Sequence, residues 1–197
     1  MAGLLGSRHS APSHRAEVPM CEWRQRLTDR FPELFDSARV GGHVPGLSLV
    51  DDGWRHIVCR AIARIATAVG TSPLKITAIS RRSGVLRLDY DRSSSIARLP
   101  DIEAAIQYAI ALAEAGSACT CERCGREGCL HQVGSELVTA CVAHANGVKV
   151  REVRGFENLH VVRSFDGKRP GPIILGRYDR ITDVFVAVDP RSLPAKE

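Results

Sequence analysis

Aromatic residues are scarce: Phe, Trp and Tyr make up 5% of the 197 residues, against 44% hydrophobic overall. A core must therefore be built mainly from Ile, Val, Leu and Ala, and no base-stacking aromatic platform is visible. No apolar run approaches the ~18 residues of a helical membrane span, which argues against a membrane protein. The opening MAGLLGSRHS has an apolar patch too short for a signal peptide and no basic residue ahead of it. The expected location is the cytoplasm. Internal repeats are absent. So are a Ser-His-Asp order, a phosphate-cradling glycine loop and a paired-carboxylate motif, so the common signatures of an enzyme are missing.

What is present is a mild basic excess and a cluster of cysteines. The formal net charge is +5. It permits attraction to nucleic acid or to an acidic protein, and it equally suits a solvated surface. Of the 7 cysteines, Cys21 and Cys59 stand alone, while Cys119, Cys121, Cys124, Cys129 and Cys141 crowd into one short region. A secreted disulfide framework would spread an even number along the chain. Crowding without an export signal points to metal.

Residues 1–19 carry Ser, His, Arg, Pro and Gly without periodicity and read as a disordered arm. Residues 20–146 read as an α+β zinc-binding core, and residues 147–197 as a β-rich C-terminal extension. Three helices are expected. The first carries Trp23, Leu27, Phe31 and Leu34/Phe35 at helical spacing, with a new turn or kink at Pro32. The second runs from about Asp52 to Val69, capped by Asp51 or Asp52 and closed by Gly70. Its Arg55, Arg60 and Arg64 lie off the apolar stripe and read as a solvated face. The third spans about Ile102 to Ala115, ended by Gly116-Ser117. Between the last two, Leu74–Ile79 and Val85–Tyr90 form a β-hairpin turning at Gly84, with Arg81 and Arg82 at its tip. Strands are expected at 147–153, 158–163, 172–175 and 181–188, with a turn at 167–171.

Within the cluster, Cys121-x-x-Cys124-Gly125 has the form of a zinc knuckle: two thiolates grip one ion while Gly lets the backbone turn tightly beneath it. Cys141-x-x-His144 supplies two more ligands, which face the same way on the first turn of a helix. Residues 132–140 between the pairs are long enough for a hairpin. Knuckle, hairpin and helix start make a treble-clef-like site for one structural Zn²⁺, closed by Cys121, Cys124, Cys141 and His144. Cys119, Cys129 and His131 are spare candidates; Cys129 or His131 can replace a member of the set, or a second ion can bind nearby.

Several features together resemble a family of small zinc-site proteins of bacteriophages and prophages. These are Gly53-Trp54 opening a helix, and the strand–turn–strand Ile79-Ser80-Arg81-Arg82-Ser83-Gly84-Val85-Leu86-Arg87-Leu88-Asp89-Tyr90. Ala113-Glu114-Ala115-Gly116-Ser117 ends a helix before Cys121-Glu122-x-Cys124-Gly125, and Cys141-x-x-His144-Ala145 closes the site. The resemblance covers residues 22–145 and departs from the family's Lys-Glu-Lys-Phe-Gly turn at Ser80–Gly84. It implies a phage or prophage setting and no particular activity.

Three functions compete. A binding module would use Arg81, Arg82 and Arg87 of the hairpin with Arg123 and Arg126 of the knuckle on nucleic acid or a nucleic-acid-associated complex. A protein-directed accessory factor, such as an inhibitor of a host defence complex, would offer the C-terminal β segment to a host or phage protein. A treble-clef nuclease would need an open metal position and a catalytic His, for which only His131 is placed. The binding module is favoured over an enzyme.

Overall fold

A computed structural model describes residues 22–35, 44–91 and 99–194. The expected arm at 1–19 and the polar stretch at 92–98 lie outside the described residues.

The first helical pattern is two helices, α1 (Glu22–Arg30) and α2 (Pro32–Phe35), broken where Pro32 begins a new turn. A short 3-10 turn, Asp52–Trp54, leads into α3 (Arg55–Val69). Neither Asp51 nor Asp52 caps this start with its side chain. The Asp52 carboxylate instead accepts from Trp23 Nε1 at 2.7 Å and pairs with Arg24 at 3.2 Å, tying α1 to the entrance of α3. Gly70 closes the helix at φ 54.

Strands β1 (Lys75–Arg82) and β2 (Val85–Asp91) pair antiparallel through a two-residue turn. Ser83 and Gly84 both have positive φ, 51 and 74, as the right-handed strand twist favours in so short a turn. Helix α4 (Pro100–Ala118) starts at Pro100, with Asp101 and Glu103 in its first turn. It runs through Gly116-Ser117 rather than stopping there, because Ser117 is used inside it: its Oγ accepts the Leu86 N–H at 2.8 Å. Helices α3 and α4 and the hairpin enclose the main core, with Trp54, Ile62, Ile65, Ile76, Ile79 and Ile106 fully buried.

Strands β3 (Cys129–Val133) and β4 (Glu136–Ala140) form the hairpin expected between the ligand pairs, and β5 (Val148–Lys149) adds to β3. The rest of the expected strand at 147–153 is irregular. The C-terminal sheet has the order β6 (Leu159–Phe165), β7 (Pro170–Asp179), β8 (Val184–Ala187). Its inner face sets Val162, Tyr178 and Phe185 on Leu112 and Ala115 of α4, forming a second, smaller core. No helix among the described residues is long and apolar enough to cross a membrane.

Candidate metal centre and the basic residues around it

The two ligand pairs sit on two similar turns at the open end of the β3–β4 hairpin. In the first, Gly125 N–H donates to the Cys121 carbonyl at 2.9 Å and Cys121 N–H donates to the Arg126 carbonyl at 2.8 Å. Gly125 adopts φ 74, and a Cβ there would lie 3.0 Å from the Gly53 carbonyl, so both conformation and space call for glycine. In the second, the N–H groups of His144 and Ala145 donate to the Cys141 carbonyl at 2.9 and 2.7 Å. The expected helix after Cys141 is absent: residues 142–144 are a turn, and Asn146-Gly147 leads at once into β5. The reason is local, since Gly147 takes φ 91 and its Cα packs on the Gln132 carbonyl, where a Cβ would come within 2.1 Å. The treble-clef expectation is corrected to two turns flanking a hairpin.

The ligand atoms of Cys121, Cys124, Cys141 and His144 all lie within 4.8 Å of one another, close enough to hold a metal ion. Cys124 Sγ lies 3.6 Å from Cys141 Sγ, and His144 Nδ1 lies 3.6 and 3.5 Å from the sulfurs of Cys121 and Cys141. A tetrahedral ion with metal–sulfur bonds of about 2.3 Å would set its ligands roughly 3.8 Å apart, so these separations fit one ion at the centre. Burial raises the Cys121 thiol, but the N–H groups of Cys141 and Cys124 and the His144 ring hold it below its ordinary range. Cys141 is also lowered: burial opposes, and the thiols of Cys124 and Cys121 with the Ala143 and His144 N–H groups prevail. For Cys124 the Arg126 N–H favours the thiolate, yet burial and the two neighbouring sulfurs leave it raised. Gathering a third thiolate calls for a cation, which is what a divalent ion supplies.

The spare candidates stand apart. Cys119 is buried, and its Sγ donates to the carbonyls of Ala115 and Gly116 at the end of α4. Cys129 lies on β3 opposite Ala140. His131 is buried on the same strand, with Nδ1 2.9 Å from the Cys129 carbonyl.

The Gly53-Trp54 pair supports the first turn directly. Gly53 N–H donates to the Glu122 carbonyl at 2.8 Å, and buried Trp54 Nε1 donates to the Thr120 carbonyl at 2.7 Å. A Cβ on Gly53 would meet the Cys121 and Glu122 carbonyl oxygens at 2.3 and 2.4 Å.

The hairpin arginines do not project freely. The β1–β2 tip packs against β3–β4, where Thr139 Oγ1 donates to the Gly84 carbonyl at 2.6 Å. Arg81 reaches Glu122 and Glu136, each at 3.2 Å. Arg82 pairs with Asp89 at 2.7 Å and Arg87 with Glu114 at 2.5 Å. Glu122 is buried, its Oε2 has no hydrogen-bond partner, and burial raises its carboxyl against the lowering effect of Arg81. Arg123 and Arg126, on the first turn, are exposed.

Arg55 and Arg60 are exposed and Arg64 is half-buried, as a solvated face requires, but Arg60 and Arg64 also share a partner. Both converge on Asp183 Oδ2, at 2.5 and 2.8 Å, while Tyr178 Oη donates to Asp183 Oδ1 at 2.7 Å. Burial, then the bond to Asp183, drives the Tyr178 phenol upward and keeps it protonated as that donor. Asp183 turns the chain between β7 and β8 at φ 55. Nothing in the sequence signals that it meets α3, because the two segments are remote and an isolated acidic turn residue is ordinary. Comparison with family models, with curated proteins and with solved structures finds no match to this chain.

Proposed function

We propose that the chain is a zinc-stabilised binding protein whose first ligand turn contacts nucleic acid or a nucleic-acid-associated complex. The observation that carries this reading is the exposure of Arg123 and Arg126 on the turn that also supplies Cys121 and Cys124. Three thiolates and one imidazole suit Zn²⁺, and four protein ligands leave no corner for water or substrate. A closed site has a structural role, which argues against the nuclease alternative. So does His131, whose ring is spent inside β3. The resemblance to phage and prophage proteins favours a role in a phage setting.

If Arg123 and Arg126 meet phosphates, affinity for single- or double-stranded oligonucleotides falls steeply with salt, as bound counterions are released. Arg123→Ala/Arg126→Ala then flattens the log–log salt slope by about 1.4 on single strands and about 1.8 on duplex. A chain without salt-sensitive affinity for any DNA or RNA would sink the reading.

A second reading is a protein-directed factor, such as an inhibitor of a host defence complex. It is favoured by the outer face of the C-terminal sheet, where Val161, Ile173 and Val186 are 76%, 64% and 54% exposed. Substituting these residues by Ser would abolish capture of a protein partner while sparing the metal.

A further inference from the structure

We propose that a cavity between α3, the first ligand turn and the β7–β8 turn binds the phosphoryl group of a nucleotide, whose base occupies the adjoining groove. The cavity has a volume of about 240 Å³ and is lined by His56, Arg60, Arg64, Thr120, Arg180 and Asp183, among others. Its charges do not balance. Arg60 and Arg64 share the single carboxylate of Asp183, which leaves one guanidinium charge uncompensated. Among the described residues Arg180 donates only to neutral acceptors, Thr120 Oγ1 at 3.1 Å and the Gly125 carbonyl at 2.7 Å, which leaves a second. Each guanidinium has five N–H donors, so donors remain after these bonds are made. Held by Asp183, Thr120 and Gly125, the three forks are positioned before a ligand arrives, which lowers the entropy lost on binding. A phosphate monoester, near dianionic at neutral pH and rich in acceptors, matches that surplus.

The groove identifies the rest of the ligand. It has a volume of about 640 Å³ and shares Arg60, Arg64, Leu112 and Asp183 with the cavity, so the two spaces adjoin at the arginine–Asp183 cluster, where the phosphoryl end of the proposed ligand sits. That size is ordinary for a small-ligand site. Ile102, Tyr108 and Phe165 give it apolar walls, and the two half-buried rings lie 6.1 Å apart at their centroids. Flat apolar walls suit a base, and Asp101 and Lys168 offer an acceptor and a donor for its polar edge. Neither Arg123 nor Arg126 lines either space, so this site is separate from the surface proposed above.

The experiment is calorimetric titration of the metal-loaded full chain with adenosine 5′-monophosphate, adenosine and inorganic phosphate. The monophosphate should bind about tenfold more tightly than either fragment. Arg180→Gln should weaken it about tenfold with metal content unchanged, while the melting temperature falls by only a few degrees because the Thr120 hydroxyl and the Gly125 carbonyl lose a donor. Arg60→Lys keeps a charge for Asp183 but removes the planar fork, and should weaken binding about fivefold. Arg123→Ala/Arg126→Ala should leave it unchanged, so this proposal and the oligonucleotide reading can fail independently. Competition by a 5′-phosphorylated oligonucleotide, but not by its 5′-hydroxyl counterpart, would assign the site to a strand end. Binding of the free monophosphate alone would assign it to mononucleotides, and both outcomes support a phosphoryl site. The proposal is overturned if the monophosphate does not bind, if adenosine binds as tightly, or if Arg180→Gln has no effect.

Discussion

Around Trp54 and around Cys121 the chain solves the same problem by different means. The helical region buries large side chains from α3, α4 and the β1–β2 hairpin in one contiguous cluster. The apolar cluster of the metal region is small, Cys121, Ala140 and Cys141 with Val138 packed beside them, and its other buried side chains are polar, such as Glu122, His131 and Thr139. At roughly 25 cal/mol per Å² of apolar surface buried, the first cluster contributes far more to stability than the second. The second region has ligand atoms close enough to hold an ion, together with what it borrows from its neighbour: the Gly53 N–H, the Trp54 indole and the Arg81 guanidinium. A region with little core can thus be tied by a few directed bonds to a neighbour with a large one.

The sharpest way to separate the two is to remove the ion. Chelation, or Cys141→Ser, should take the metal from one per chain to none and forfeit binding energy on the order of 10 kcal/mol. Hydrogen-exchange protection should vanish across β3, β4 and β5 while α3 and α4 keep theirs. If protection of α3 is lost in the same step, the two regions are one cooperative unit and the distinction fails.

A smaller cut targets the seam. In Gly53→Ala the new methyl would meet backbone oxygens, which cannot swing aside as a side-chain tip would. The expected cost is about 2–3 kcal/mol, with weaker metal retention in a chelator competition. Unchanged metal retention would show that the seam adjusts without disturbing Cys121.

How much of this was legible beforehand follows the same division. That Cys121, Cys124, Cys141 and His144 come together was readable because two short paired spacings each put two donors side by side almost without reference to the fold. Helix α3 was readable because its apolar stripe is long and regular. The helix expected after Cys141 was not, because i, i+3 spacing fits a tight turn as well, and Gly147 packing on Gln132 decides between them. The roles of Arg60, Arg64 and Arg81 depend on carboxylates brought in from remote segments, Asp183 and Glu122. A charge pattern within one helix or strand carries no information about such partners.

The two hairpin arginines turn that point into a measurement. Arg81→Ala leaves the buried Glu122 carboxylate without its guanidinium and should cost about 1–2 kcal/mol, less than a fully buried pair because Arg81 is partly exposed. Arg82→Ala removes only an exposed pair with Asp89 and should change stability by less than about 0.5 kcal/mol. Equal effects in thermal melts would mean that Glu122 is adequately solvated without Arg81.

The smallest expected effect concerns the thiol nearest the site that is not part of it. Cys129 is half-buried on β3, opposite Ala140, which directly precedes the ligand Cys141. Its sulfur stands outside the set whose ligand atoms lie within 4.8 Å of one another. Serine is nearly isosteric and leaves the β3–β4 backbone bonds intact, so the loss is limited to a modest amount of apolar contact. Cys129→Ser should therefore cost less than about 1 kcal/mol and retain one metal ion per chain. The contrast with Cys141→Ser is informative because both residues sit at the open end of the same hairpin and undergo the same chemical change. Cys141 is the more buried of the two, but burial alone would not make its loss release a metal ion that the loss of Cys129 leaves in place. If Cys129→Ser released the ion while Cys141→Ser kept it, the ligand assignment would be wrong, and the metal region would be organised around β3 rather than around the two turns.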